Sequence, residues 1–256
     1  MTNRSKLAKT PAELQEHMIG TYRTMRQALF LIGGALPLVL WLGGKVLFGL
    51  DLQESMSAYY HAGEGAPLRT WFVGSLFAIA ALLVSYRGFT GGEDRWLDVA
   101  GVLVVGVALF PMAWEGFRPV PFAGVGTLHD ACAIAFFIVI VVVCWKYGRA
   151  TKDLVADERK RETWNRWYIR VALLFVVPLA LSLTRFVPWD FDTRVFWTEA
   201  SGVWVFSLYW LLKTIEINES QADQKAAKRE LRVCNPEGGA LARLAKPPRV
   251  TGAEPA

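Results

Sequence analysis

Between Ser55 and His61 the chain reads SMSAYYH, directly after a long apolar run. Ser57 and His61 are four residues apart, so on a helix they stack on one face. Leu52, Met56 and Tyr59 fall on another, the pattern of a short helix lying in a membrane interface with its apolar side down. The chemistry open to these groups comes from joining His61 to His129, Asp130 and Glu199. Two imidazoles with one or two carboxylates make a zinc or iron site. They can also relay protons, because histidine titrates near neutral pH. The metal ligands expected are His61, His129 and Glu199. The wider pocket adds Ser57, Tyr60, Arg69, Glu115, Asp130 and Arg185. No two of these ligands share a motif spacing such as H-E-x-x-H, so the site exists only if three helices meet.

Six apolar blocks supply the helices: Ala28–Leu50, Trp71–Tyr86, Val99–Trp114, Ala131–Trp145, Val171–Val187 and Val195–Leu212. The chain is 53% hydrophobic with 11 tryptophans, and its mean hydropathy is +0.28. A span needs roughly 20 residues. The shorter blocks gain length from flanking Arg69, Trp96 and Lys146, which reach back to the headgroups. The fold class expected is all-α, an integral membrane bundle of six transmembrane helices. Continuous rather than alternating apolar runs exclude a β-barrel reading. No short apolar region is followed by a small-residue cleavage site, so the first block is expected to act as an uncleaved anchor. Cys132 and Cys144, twelve residues apart on one helix, are about 18 Å apart and cannot bridge.

Positive charge sets the orientation. Residues 1–26, 146–170 and 213–256, with Arg87 and Arg95, hold 23 of the 28 basic residues on one side of such a bundle. The positive-inside rule makes that side, and both termini, cytoplasmic. Three regions follow: an amphipathic N-terminal segment over 1–26, the six-helix domain over 27–217, and a helical extension with an unstructured tail over 218–256. Thr10-Pro11-Ala12-Glu13 reads as a capping box opening a short helix on the inner membrane face. The basic residues flank helices without interleaved aromatics, so nucleic acid is not expected as a partner. Membrane lipid is, and a homo-oligomer is allowed.

Each candidate also has a structural reading. Tyr59 and Tyr60 can anchor the segment at the headgroups while Ser57 and His61 turn to the pocket. Glu199 can form an ion pair with Arg185 or Arg194. Asp98, near Arg95 and Arg87, reads as a helix-start charge favoured by the macrodipole. Gly202 and Ser201 mark a closely packed helix face. Pro37, Pro111 and Pro178 kink or end their helices.

The run SAYYH, then RTWFVGSLFAIAALLVSYRG, ED, VALFP, LHD and WTEAS…WLLK resembles a family of uncharacterised bacterial six-span membrane proteins. The resemblance covers most of residues 51–213 and implies an integral fold in the bacterial inner membrane with no established activity. It includes Ser57, Tyr60, His61, Arg69, Arg87, His129, Glu199 and Lys213. The Ser-x-x-x-His step is also similar to the zinc-site motif of alkaline ceramidases and of progestin and adipoQ receptors. Those hold zinc with three histidines, two of them in an H-x-x-x-H pair that this chain lacks.

The function expected is therefore non-enzymatic: binding of lipid or a partner, or sensing, through an outward polar pocket. The alternative is a metal-dependent hydrolase or transferase acting on lipid at the outer leaflet, with Asp130 or Glu199 as base. A small proton-coupled transporter ranks third, since the charges cluster near helix ends and no repeats are visible.

Overall fold

The computed structural model describes residues 10–62, 67–113, 120–122, 126–176, 193–234 and 248–252, and these are mostly helical. Thr10 opens the first helix with the expected capping box: its hydroxyl accepts from the Glu13 N–H, and the Glu13 carboxylate accepts from the Thr10 N–H at 2.7 Å. Helix α1 (Pro11–Leu38) continues through a π-helical turn, Val39–Gly43, into α2 (Gly44–Phe48). The wider turn follows directly on Pro37, which has no N–H to give to the helix ladder. The result is one 38-residue rod. The separate N-terminal helix expected on the membrane face is thus part of this rod, because no breaker stands between Pro11 and Ala28.

The remaining helices are α3 (Leu68–Ser85), α4 (Gly91–Leu109), α5 (Leu128–Val142), α6 (Glu158–Leu174), α7 (Arg194–Ser220) and α8 (Ala222–Ala227). Thr90 caps α4 by accepting from the Glu93 N–H, and α4 stops just before Pro111. A short hairpin of β1 (Pro121–Phe122) and β2 (Gly126–Thr127) leads into α5, which opens on a second capping box, Thr127 with Asp130. Helix α6 begins inside the charged linker and runs on into the fifth apolar block. That block, with Pro178, extends outside the described residues.

Neighbours follow chain order. Helix α1 packs on α3, α3 on α4 and α4 on α5, while α7 returns along α1 and α6 touches both the end of α5 and α7. The main core, which includes Leu29, Leu83, Leu97, Ile140, Tyr168 and Trp210, joins α1 and α3 to α7. Glycines permit the closest approaches. A Cβ on Gly33 of α1 would lie 2.6 Å from Ser207 Oγ of α7, and one on Gly101 of α4 would lie 3.0 Å from the Ala80 carbonyl of α3.

Among the described residues, three helical stretches are long and apolar enough to cross a membrane: Pro11–Phe48, Leu68–Ser85 and Leu128–Leu154. Helix α4 carries Glu93, Asp94, Arg95 and Asp98 in its first turns, and the apolar residues of α7 are diluted by Glu199, serines, tryptophans and a tyrosine. The C-terminal region departs from expectation. Helix α7 ends at Ser220 because Gln221 is left-handed, with φ 57°. After α8, strand β3 (Leu231–Cys234) pairs with β4 (Arg249–Gly252), which lies in the tail expected to be unstructured. It is held there because Val250 is buried against Ile217 and Ala222, and its N–H donates to the Ala150 carbonyl at 2.9 Å.

Candidate functional site

The SMSAYYH segment is drawn into the bundle rather than laid on its surface. Residues Ser57–Tyr60 form one 3-10 turn, and Ser55 Oγ accepts from the Ala58 N–H at 2.9 Å to hold it. Tyr59 is fully buried. Its ring fills the space left by Gly44, where a Cβ would stand 2.9 Å away, and it packs near Phe196. The expectation that Tyr59 anchors at the headgroups is therefore wrong. Burying the aromatic face against α2 and α7 removes more apolar surface from water than an interfacial position would. The adjoining Glu54 carbonyl accepts from the Phe196 N–H at 2.8 Å, tying this segment to the start of α7.

Ser57 is oriented by His129 rather than His61. Both residues are buried, and Ser57 Oγ lies 2.9 Å from His129 Nε2. His129 Nδ1 lies 2.8 Å from the Phe110 carbonyl and 3.1 Å from the Val107 carbonyl, at the end of α4. Carbonyls only accept, so Nδ1 carries the hydrogen. In the neutral ring Nε2 then holds the lone pair, and the Ser57 hydroxyl donates to it. Helix α5 supplies the histidine, α4 fixes its tautomer, and the 3-10 turn delivers the serine.

Glu199, on α7, completes the turn from the other side: its Oε2 accepts the Met56 N–H at 2.8 Å. The expected ion pair of Glu199 with Arg194 or Arg185 is not among the ion pairs of the described residues, and Arg185 lies outside them. Asp130 spends one oxygen on capping, accepting from Thr127 Oγ1 at 2.6 Å. Gly202 does mark a close approach, since a Cβ there would meet the Phe137 ring at 2.6 Å. Ser201 instead turns its hydroxyl back to the Trp197 carbonyl at 2.6 Å.

Behind this polar end lies a cavity of about 740 Å³ between α5 and α7. Ala133, Ile134, Phe137 and Ile138 form one wall, and Val195 and Gly202 the other. Ser57, His129, Asp130, Glu54, Thr198 and Glu199 also line it, near the first turns of α5 and α7.

The other expected pocket residues do not join it. Arg69 donates from Nε to the Tyr60 carbonyl at 2.8 Å and lies 4.4 Å from the centre of that ring. His61 stacks edgewise on Tyr60 at 4.8 Å. Tyr60, His61 and Arg69 thus make an outer cluster of their own. Glu115 and Arg185 lie outside the described residues. Nor do His61, His129 and Glu199 converge as metal ligands. Among the described residues no three His, Cys, Asp or Glu side chains are grouped to hold a metal ion. The physical reason is that His129 spends both nitrogens on Ser57 and α4, while Glu199 is held by the Met56 N–H.

A second polar cluster at the opposite end was not anticipated. Lys213 and Glu216 of α7 are fully buried. Lys213 Nζ donates to Thr151 Oγ1 at 2.8 Å and to the Gly148 carbonyl at 3.2 Å. Glu216 Oε2 accepts from Thr151 at 2.8 Å and from the Tyr168 hydroxyl at 3.2 Å. Buried Glu93 accepts from the Phe89 N–H at 3.0 Å. The one sequence signal was Lys213 with Glu216, three apart, closing an apolar run. Glu199 and Lys213 are 14 residues apart on α7, about 21 Å along its axis. The bundle therefore has a polar cluster at each end and an apolar middle. Compared with known proteins, the chain matches no family model, no curated protein and no solved structure.

Proposed function

We propose that this is a six-span protein of the bacterial inner membrane, with both termini in the cytoplasm, that holds one membrane lipid in an outward-facing cavity. The observation carrying the reading is the cavity itself. Its volume falls within the roughly 300–1,000 Å³ of ordinary ligand sites. Its walls are apolar, and the groups able to hydrogen-bond collect at one end, as an acyl chain with a polar head requires.

Two further observations support the membrane assignment. Every long helix exposes large apolar side chains outward: Leu31 and Leu42 on the first rod, Phe77, Val102, Ile138 and Leu173 on α3 to α6. Water-facing surfaces seldom carry so many. The basic residues also concentrate on the side of Lys213 and Arg26, opposite the cavity mouth, as the positive-inside rule demands of an outward site.

The test is native mass spectrometry of the detergent-purified protein. One retained lipid per chain is expected. Ala133→Trp, which fills the cavity, should lose it, while Val102→Trp, on the outer face of α4, should keep it. Equal retention by wild type and Ala133→Trp would sink the proposal.

A further inference from the structure

We propose that Ser57 is a nucleophile and His129 its base, and that the pair cleaves an acyl ester of the lipid held in the cavity. This rests on the lipid reading and adds a reaction to it. Three features of the geometry carry it. First, the 2.9 Å contact between Ser57 Oγ and His129 Nε2 is the distance at which an imidazole takes a hydroxyl proton. Second, the Val107 and Phe110 carbonyls fix the tautomer that leaves Nε2 able to accept. They fill the orienting role of the third member of a hydrolase triad. Third, Ser57 and His129 both line the cavity, so the pair borders the space the ester would occupy.

The backbone supplies the remaining part. The Met56 N–H beside the nucleophile already holds a carboxylate oxygen, Glu199 Oε2, at 2.8 Å. Such N–H groups are the donors that a tetrahedral oxyanion needs. Glu199 stands where that oxygen would bind, and it positions the turn until the substrate carbonyl replaces it.

The reaction balances without a cofactor. Ser57 Oγ bonds to the ester carbonyl carbon as its proton passes to His129 Nε2. The ester C–O bond breaks, and the departing alcohol takes that proton. Water from the outer solution then adds to the acyl-serine carbonyl, giving a proton to His129. The C–Oγ bond breaks, Ser57 recovers the proton, and a fatty acid leaves. Neutral carbonyls stabilise an imidazolium less than a carboxylate does, so the acyl-serine forms more slowly than in a carboxylate triad.

The experiment treats the full-length protein in detergent with a long-chain alkyl fluorophosphonate and maps the adduct by mass spectrometry, with lipid retention measured on the same sample. An adduct on Ser57 is expected, absent in Ser57→Ala and at least ten-fold slower in His129→Gln. Since His129→Gln also disturbs the α4 contacts of the histidine, the wild-type labelling rate is followed against pH as well. It should fall as a single base is protonated. No adduct on Ser57 in protein that retains lipid would overturn the nucleophile and leave the binding reading intact. So would a Ser57 adduct that forms at a rate that does not fall with pH. An adduct in protein that retains no lipid would instead overturn the lipid ester as substrate.

Discussion

Arg26 and Asp223, at opposite ends of the chain, meet at 2.6 Å, with Arg26 fully buried and Asp223 nearly so. The contact ties α1 to α8, and the guanidinium also lies 6.0 Å from the centre of the Tyr86 ring. Removing one member of a buried pair leaves the other charge uncompensated, at a cost of about 3–5 kcal/mol. Asp223→Ala should therefore lower the melting temperature of the detergent-solubilised protein sharply. The double replacement Arg26→Met with Asp223→Ala should restore most of that loss. A single variant that melts like wild type would mean that the pair contributes nothing.

The Lys213 cluster makes a related but separable prediction. Glu216 accepts from both Thr151 and Tyr168, while Lys213 reaches Glu216 only at 3.5 Å. Thr151 therefore bridges two charges that barely touch directly. Thr151→Val should destabilise by about 1–3 kcal/mol, because it leaves two buried charged groups each short of a hydrogen bond. In a double-mutant cycle, Thr151→Val and Lys213→Met should be strongly non-additive. Additive losses would mean that the two groups act independently.

What was legible in the sequence was local. The capping box at Thr10 follows from residue types three apart, and the helix end before Pro111 follows from the missing N–H. Asp98 does lie beside Arg87, pairing with it at 3.1 Å on an exposed surface, but it stands seven residues past Gly91, and the helix-start charges that the macrodipole favours are Glu93 and Asp94. What was not legible depends on how helices rotate against one another. Ser57 was assigned to His61 because four residues separate them, yet a 3-10 turn puts residues three apart in line. The partner that faces Ser57 is 72 residues away on α5. Tyr59 was read as interfacial because aromatics favour headgroups, but the space beside Gly44 is a property of the packed pair. Likewise, an arginine before an apolar block reads as a topology signal, and only the return of α8 shows Arg26 to be a buried clamp.

The proposed topology yields to accessibility. With Cys132, Cys144 and Cys234 replaced, a single cysteine at exposed Asp51 should react with a membrane-impermeant maleimide in intact cells. One at exposed Arg159 should react only after lysis. Labelling of both in intact cells, or of neither, would refute the proposed orientation. The Asp51 site is well chosen, because its ion-pair partner, Lys45 at 2.7 Å, is itself exposed.

His61 gives the pH dependence a sign. Burial pushes its pKa below the ordinary 6.5, a hydrogen bond to the Met112 backbone opposes this, and the neighbouring Arg69 guanidinium lowers it further. A base with a depressed folded pKa binds fewer protons folded than unfolded just below 6.5. Stability linked to His61 is then complete above pH 6.5 and declines as pH falls towards the folded value. The melting temperature should drop between pH 7.5 and pH 5.5, and the drop should be smaller in His61→Gln. Arg69→Gln should also reduce the drop, since removing the like charge raises the folded pKa of His61 towards its unfolded value. The Tyr60 carbonyl would still find a donor in the glutamine amide, so the comparison isolates charge from lost hydrogen bonding. Equal pH dependence in wild type and both variants would assign the acid sensitivity to other groups.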